Sequence, residues 1–208
     1  DAANGLYAHV WGVFCDWYVE FSKPLLEEDH PAREETRATM AWALDRCLVL
    51  LHPFVPFVTE ELWGEIGRQA GGRGKMLVHS DWPEIPLALA DEAADREMGW
   101  VIRAIEQVRS VRAEMNVPAG ARLDLVIAGA GEEVLARVER NRPLIERLAR
   151  LSSISAADTV PSGAVTIALE DCALALPLAD VIDVAAERAR LEKAMGKLEK
   201  ERRQIEGK

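Results

Sequence analysis

Apolar residues recur every three or four positions along the first part of the chain, which is the spacing of one face of an α-helix. The repeat predicts a first helix over residues 4–28, with two adjacent apolar rows that indicate burial against two neighbours. Further repeats predict helices over 33–51 and 56–68, separated by a His-Pro pair that disfavours helix. We therefore expect an antiparallel helical bundle. The rows of the first helix are Leu6, Val10, Phe14, Trp17, Phe21 and Leu25, then Tyr7, Trp11, Cys15 and Tyr18, and the third helix turns Leu62, Trp63 and Ile66 inward.

The pattern changes after a glycine-rich stretch at 69–74. Alternation of helical and strand-like segments then indicates a small α+β domain, whose strand pairing the sequence leaves open. The predicted elements are a short strand or extended connector at 76–79, a helix over 87–115, a strand at 123–127, a helix over 132–148, and strands at 164–169 and 172–176 joined by a tight turn.

Heptad-like spacing of apolar residues at the end of the chain is typical of one arm of a coiled coil. Such a helix buries its seam against a partner, and the chain also starts without methionine, so we expect a truncated piece of a longer protein. The sequence thus predicts a mainly α fold with a small α+β part. Its divisions are a helical bundle over 1–74, a connector and α+β domain over 75–183, and the first arm of a C-terminal coiled coil over 184–208.

The formal net charge of the chain is −10, whereas a nucleic-acid-binding domain is ordinarily basic. The charge is uneven, however: −5 over residues 1–79, −8 over 80–183 and +3 over 184–208. The basic end is either a solvated coiled-coil flank or an arm that contacts phosphate, and the sequence leaves both open. The absence of long apolar runs and of paired cysteines predicts a cytoplasmic protein that does not bind membranes.

Catalytic and metal-binding motifs are missing from the sequence. The glycine-rich stretch lacks the pattern of a phosphate-binding loop, since Gln69 replaces the first glycine and Met76 replaces the hydroxyl residue. The histidines are far apart, and His52 before Pro53 is best interpreted as a packed helix end. We therefore expect no catalytic residue and no metal site.

One face of the first helix has a different character. Gly12, Asp16, Val19 and Lys23 follow one another at helical steps, with Glu20 beside them. Such a row is usually a solvated face. A glycine that leaves a shallow spot and an apolar residue among polar ones can also receive a flat base and bond its edge, which is how proteins recognise unstacked RNA.

The run Phe14-Cys15-Asp16-Trp17-Tyr18-Val19-Glu20 resembles the anticodon-binding bundle of the valyl-tRNA synthetase family. The family resemblance also includes Leu51-His52-Pro53-Phe54-Val55-Pro56-Phe57-Val58-Thr59-Glu60-Glu61-Leu62-Trp63. The Pro-Phe-x-Thr-Glu-Glu-Leu-Trp run at its end is shared with the leucine and isoleucine enzymes. His79 to Pro83, Val108 to Pro118 and Leu176 to Asp183 extend the resemblance over essentially the whole chain.

The resemblance implies a C-terminal, monomeric, tRNA-binding region that holds valine tRNA by its anticodon loop and by its elbow. Its ATP- and Mg-binding catalytic half lies elsewhere, because the His-Ile-Gly-His and Lys-Met-Ser-Lys-Ser signatures are absent here. Alternatives are the equivalent region of an isoleucine or leucine enzyme, and a coiled-coil protein-interaction module. The RNA-binding residues expected are Gly12, Asp16, Val19, Glu20 and Lys23 in the bundle, and Arg188, Lys197, Lys200, Arg202 and Arg203 in the basic helix.

Overall fold

The computed structural model divides the chain into two compact units, Asp1–Asp91 and Glu92–Lys208. The fold of the described part is mainly α with a small α+β part, as the sequence predicts. Most of the predicted coiled-coil segment lies outside the described residues. The structure describes residues 1–69, 71–179, 181, 192–193, 195–196, 198–200 and 202–203.

A continuous helical rod, here called the first rod, occupies residues 2–26 and changes its hydrogen-bond pattern along its length. An α-helical start, capped by the carboxylate of Asp1, leads into a π-helical segment that the sequence does not predict. The rod consists of α1 (Ala2–His9), the π segment (Val10–Tyr18), α2 (Val19–Ser22) and a 3₁₀ turn (Lys23–Leu26).

Tyr7, Trp11 and Cys15 of the second apolar row are exposed and only Tyr18 is half-buried, which corrects the predicted burial on two sides. Tyr7 is 65% exposed and Trp11 is 61% exposed, whereas Trp17 of the first row is buried. Within the described part of the chain, the rod packs against the next helix, α3 (Arg33–Leu51). The contacts with α3 lie at the two ends of the rod, in α1 and in the 3₁₀ turn.

Helix α3 and helix α4 (Pro56–Gln69) pack together within the bounds predicted for them. Leu48, Val49 and Leu77 are buried at the centre of this contact. Leu62, which was expected to face inward, is 44% exposed, while Trp63 and Ile66 pack against the centre.

The connector after residue 75 is a single 3₁₀ turn, Leu77–His79, and not a strand. The Glu60 carboxylate accepts hydrogen bonds from the backbone N–H of Leu77 at 2.7 Å and of Val78 at 3.1 Å. Leu77 is only 3% exposed. These contacts dock the connector on α4, within the first unit.

The side chain of Arg73 ties the glycine-rich loop to both bundle helices. The Arg73 guanidinium pairs with both carboxylate oxygens of Asp45 at 2.6 and 2.8 Å and lies 3.8 Å from the ring centroid of Trp63. A Cβ on Gly67 would overlap the Arg73 side chain. The loop therefore closes α4 against α3.

The second unit is a sheet covered by two helices, α5 (Glu92–Glu114) and α6 (Glu132–Ala149). Helix α5 begins later than predicted, because the apolar Leu87 is 91% exposed and lies in a separate 3₁₀ turn. In the described part, the strand order is β2-β1-β4-β3, with β1 parallel to β2 and the other pairs antiparallel. The strands are β1 (Leu123–Ala128), β2 (Leu151–Ala157), β3 (Ala164–Ala168) and β4 (Ala173–Pro177).

Strand β2 is absent from the sequence prediction. Its sequence is rich in serine and alanine, and only Leu151 and Ile154 along it are buried. This spacing lacks the alternation that identifies a half-buried strand. The strand forms because its backbone pairs in parallel with β1, while α6 provides the crossover between them.

The core of the second unit lies between α5, α6 and the sheet. Val101, Ile105 and Val108 on α5 are each 0% exposed. Burial of each of these side chains contributes about 1.5–3 kcal/mol of favourable transfer free energy to folding. Strand residues that share this core include Leu123, Leu125, Ile127, Leu174 and Leu176.

Glu97 should give the stability of the second unit an acid dependence. Arg140 donates to its carboxylate at 2.7 and 3.1 Å and Asn141 at 2.8 Å, which lowers the pKa of Glu97 from 4.5 to about 2. Because the pKa is lower in the folded state, the stabilisation is present above the unfolded value of 4.5 and is lost as the pH falls towards 2. We expect Glu97→Gln to cost about 1–2 kcal/mol at neutral pH, measured by urea unfolding.

The cost of Glu97→Gln should shrink when the same titration is repeated in acid. Glu106→Gln, at an exposed glutamate on the same helix, is the control and should change little at either pH. An equal cost for Glu97→Gln at neutral and acid pH would contradict the assignment.

Candidate nucleic-acid interface

The structure places the predicted RNA-binding residues of the bundle on one element, the first rod. Gly12 and Asp16 lie in the π segment, Val19 and Glu20 in α2, and Lys23 at the start of the 3₁₀ turn. All five lie on one continuous helical rod, as expected from the sequence, but the π segment changes their angular spacing.

The π segment widens the helix beneath the candidate face. The backbone N–H of Val19 donates to the carbonyl of Phe14, five residues earlier, instead of four as in an α-helix. Each turn therefore holds more residues, and the four-residue step from Gly12 to Asp16 no longer completes a turn. Segments of this kind are rare and frequently occur at functional sites.

The surface around Gly12 is open. A Cβ added there would have no heavy atom within 4 Å outside its own helical surroundings. Asp16 is exposed and Val19 is half-buried on the same rod, so a carboxylate and an apolar side chain are both accessible there. A flat base can approach such a surface and present its edge to polar groups.

Glu20 and Lys23 form an ion pair across one helical turn. Their side chains are 31% and 49% exposed, respectively. An exposed pair of this kind contributes only about 0–1 kcal/mol. Breaking the pair therefore costs little. Glu20 can then accept from a base edge, and Lys23 can donate to a base edge or a phosphate.

An exposed aromatic pair lies on the same rod and was missed by sequence reasoning. The rings of Tyr7 and Trp11 are stacked, with centroids 6.4 Å apart and planes 4° from parallel. Exposed aromatic faces are the usual platforms for unstacked bases. Periodicity assigned both residues to a buried row, because it cannot show whether a neighbour covers that row.

The structure describes three of the five basic residues predicted to bind RNA near the end of the chain. Arg188 and Lys197 lie outside the described residues. Lys200, Arg202 and Arg203 are helical and exposed.

The Pro-Phe-x-Thr-Glu-Glu-Leu-Trp run has a structural role in the turn between α3 and α4. Thr59 is 1% exposed and donates to the carbonyl of Val55 at 2.9 Å. His52 shares a hydrogen bond with the Thr59 hydroxyl, with 2.8 Å between Nδ1 and Oγ1. His52 is thus a packed helix end, as predicted, and Glu60 holds the connector.

Among the residues that the structure describes, no helix has the length and apolar character needed to cross a membrane. In the same ranges, no three His, Cys, Asp or Glu side chains form a group suited to a metal ion.

Comparison with known proteins identifies a domain and a set of close relatives. Residues 1–127 match the family model described as the anticodon-binding domain of tRNA ligase. The chain is 56% identical to the valine-tRNA ligase of Ruegeria pomeroyi over 97% of the chain and 20% of that protein. Identity is 55% to the Cereibacter sphaeroides enzyme of the same name, over 100% of the chain and 20% of that protein. For Caulobacter vibrioides the identity is 48%, over 93% of the chain and 21% of the relative. The chain thus spans about a fifth of the length of these curated relatives.

Proposed function

We propose, because the chain belongs to the tRNA ligases that carry this anticodon-binding domain, that it is the tRNA-binding region of a valine-tRNA ligase. It recognises and positions valine tRNA for ATP-dependent aminoacylation, which other parts of the ligase carry out. The observation that supports this most directly is the domain match over residues 1–127, which includes the whole first rod.

The first rod recognises the anticodon through shape and hydrogen bonding more than through charge. Val19 packs against the face of a base above the open surface at Gly12. Asp16 and Glu20 accept hydrogen bonds from amino groups on base edges, and Lys23 donates to carbonyl or ring acceptors. Such recognition needs few positive charges, so it is compatible with the −5 of residues 1–79.

Positioning is the contribution of this region to the reaction rate. A tRNA held at its anticodon delivers its acceptor end to a distant catalytic site, where a small misplacement has a large effect on rate. In this proposal ATP and Mg bind the catalytic part of the ligase. The basic coiled-coil arm, with Arg188 and Lys197, contacts phosphates near the tRNA elbow, and the ligase acts as a cytoplasmic monomer.

A titration with three RNAs tests the proposal. The chain should bind valine tRNA more tightly than valine tRNA with a changed anticodon, and more tightly than a non-cognate tRNA. Val19→Asp should reduce this discrimination by about tenfold, because burying a valine side chain against a base contributes about 1.5–3 kcal/mol. Fluorescence anisotropy at fixed salt measures all three affinities.

Val13→Asp is the matched control for Val19→Asp. Val13 is 50% exposed on the same rod but outside the predicted row, and the substitution adds the same charge. It should preserve discrimination. Equal binding of the unmodified chain to all three RNAs would refute anticodon recognition.

One observation favours a second candidate function, a helical module that binds another protein. Phe57 at the start of α4 is 90% exposed and Val58 beside it is 53% exposed. The same titration separates the two candidates, since a protein-interaction module has no reason to distinguish anticodons.

A further inference from the structure

A cavity lined by three arginines lies within the second unit. It has a volume of about 380 Å³ and is bounded by the end of α5, the loop after it and the end of α6. Arg109, Arg112 and Arg150 line it together with small apolar side chains. Its volume is in the lower range of small-ligand sites.

Backbone carbonyl groups hold the three guanidinium groups in place. Arg109 donates from Nε to the carbonyl of Leu148 at 2.9 Å. Arg112 donates from Nη2 to the carbonyl of Ala121 at 2.7 Å, and Arg150 donates to a carbonyl in the same loop. Carbonyl groups orient a guanidinium but do not neutralise its charge, so the positive charges are arranged in advance.

No carboxylate balances two of these charges among the residues that the structure describes. Arg112 and Arg150 form no ion pair there. Arg112 is 8% exposed, and its Nη1 is buried without a hydrogen-bond partner. Burial, followed by repulsion from the charge of Arg150, lowers the pKa of Arg112. Buried donors are normally paired, and buried charges normally have a counter-charge.

Arg150 also occupies a strained backbone position. It ends α6 with φ of 55° and ψ of 58°, in the left-handed region. Glycine or asparagine is the usual residue at such a helix end, because a Cβ is disfavoured there. The backbone at position 150 is therefore more strained with arginine than it would be with glycine.

We infer that the cavity of Arg109, Arg112 and Arg150 is a binding site for a phosphate group. Guanidinium groups match phosphate oxygens in geometry and charge, and an anion here would supply the counter-charge that Arg112 and Arg150 lack among the described residues. The inference extends the proposed function. We assign the phosphate to the backbone of the bound tRNA, and this assignment rests on the proposed function. A free small phosphate offers the same chemistry.

Two variants and one matched control test the site in the full 208-residue chain. Arg150→Gly removes a lining charge and relieves the strained backbone, so the variant should fold at least as stably as the parent. Arg109→Gln removes a second charge. Arg122→Gln is the control, because its guanidinium also donates to a backbone carbonyl, that of Leu151, but does not line the cavity. Unfolding in urea confirms that each variant folds.

Each protein is titrated with valine tRNA over a salt series and, separately, with inorganic phosphate and pyrophosphate by calorimetry. We expect Arg150→Gly and Arg109→Gln to weaken tRNA binding about tenfold and to reduce the salt slope by about one, with Arg122→Gln close to the parent. A different outcome is that the parent binds inorganic phosphate or pyrophosphate saturably, that the cavity variants abolish this binding, and that tRNA affinity does not change. That result would support the site with a free small phosphate as its ligand.

The inference is overturned if neither ligand responds to the cavity variants, or if Arg122→Gln has the same effect. The anticodon titration fails or succeeds independently. If the chain distinguishes anticodons but the cavity variants change no binding, only this site is refuted. If the cavity binds phosphate but the chain binds no tRNA, the proposed function is refuted and the site stands.

Discussion

Replacing Gly67 by valine should lower the free energy of unfolding of the first unit by about 2–4 kcal/mol. Any Cβ at this position overlaps the Arg73 side chain, which is held between the Asp45 carboxylate and the Trp63 ring. Arg73 must leave, and Asp45 then loses a partner at a site where its side chain is only 23% exposed. Urea unfolding followed by circular dichroism measures the loss.

Gly64→Val provides the matched control for Gly67→Val. Gly64 lies in the same helix, and a Cβ there meets no heavy atom within 4 Å. Valine at Gly64 should therefore change the stability by less than about 1 kcal/mol. In an Arg73→Ala background, Gly67→Val should add almost nothing, because the overlapping side chain is absent. A full cost in that background would contradict the steric explanation.

Glu60→Ala should detach the connector from α4 at a cost of about 2–3 kcal/mol. The substitution leaves the backbone N–H groups of Leu77 and Val78 without the carboxylate that they contact in the parent. Leu77 contributes to the buried contact between α3 and α4, so the loss reaches the bundle core.

Hydrogen exchange at the Leu77 and Val78 amides gives a local measurement of the same prediction. Both amides should exchange faster in Glu60→Ala, in step with the loss of stability. Glu61→Ala is the control, since the Glu61 side chain is 80% exposed. Unchanged exchange at Leu77 would show that its N–H does not depend on Glu60.

The bundle helices could be predicted because their signals are local. A His-Pro pair and regular apolar spacing define the bounds of α3 and α4 in the sequence. Burial of a given row depends on neighbours that periodicity does not reveal, and the exposure of Tyr7 and Trp11 illustrates this. Strand β2 was missed for the same reason, because its parallel partner β1 lies on the other side of a helix in sequence.

The two candidate sites differ in how far the sequence could predict them. Gly12, Asp16, Val19, Glu20 and Lys23 lie close together in sequence, so helical spacing and the family resemblance were enough to select them as predictions. The π segment beneath them was not predictable from that spacing. The arginine cavity joins residues from the ends of α5 and α6, and this proximity arises only when both helices pack on the sheet.

The sheet order affects how the second unit reaches its native state. Strand β1 lies between β2 and β4, and in sequence α6 separates it from β2, while α6, β2 and β3 separate it from β4. Contacts between residues so distant in sequence require loop closure before they are stabilised, whereas α3 and α4 in the first unit are joined by a short turn. We therefore expect the pairing of β1 to form late when the second unit refolds, with the edges of β1 exposed until then.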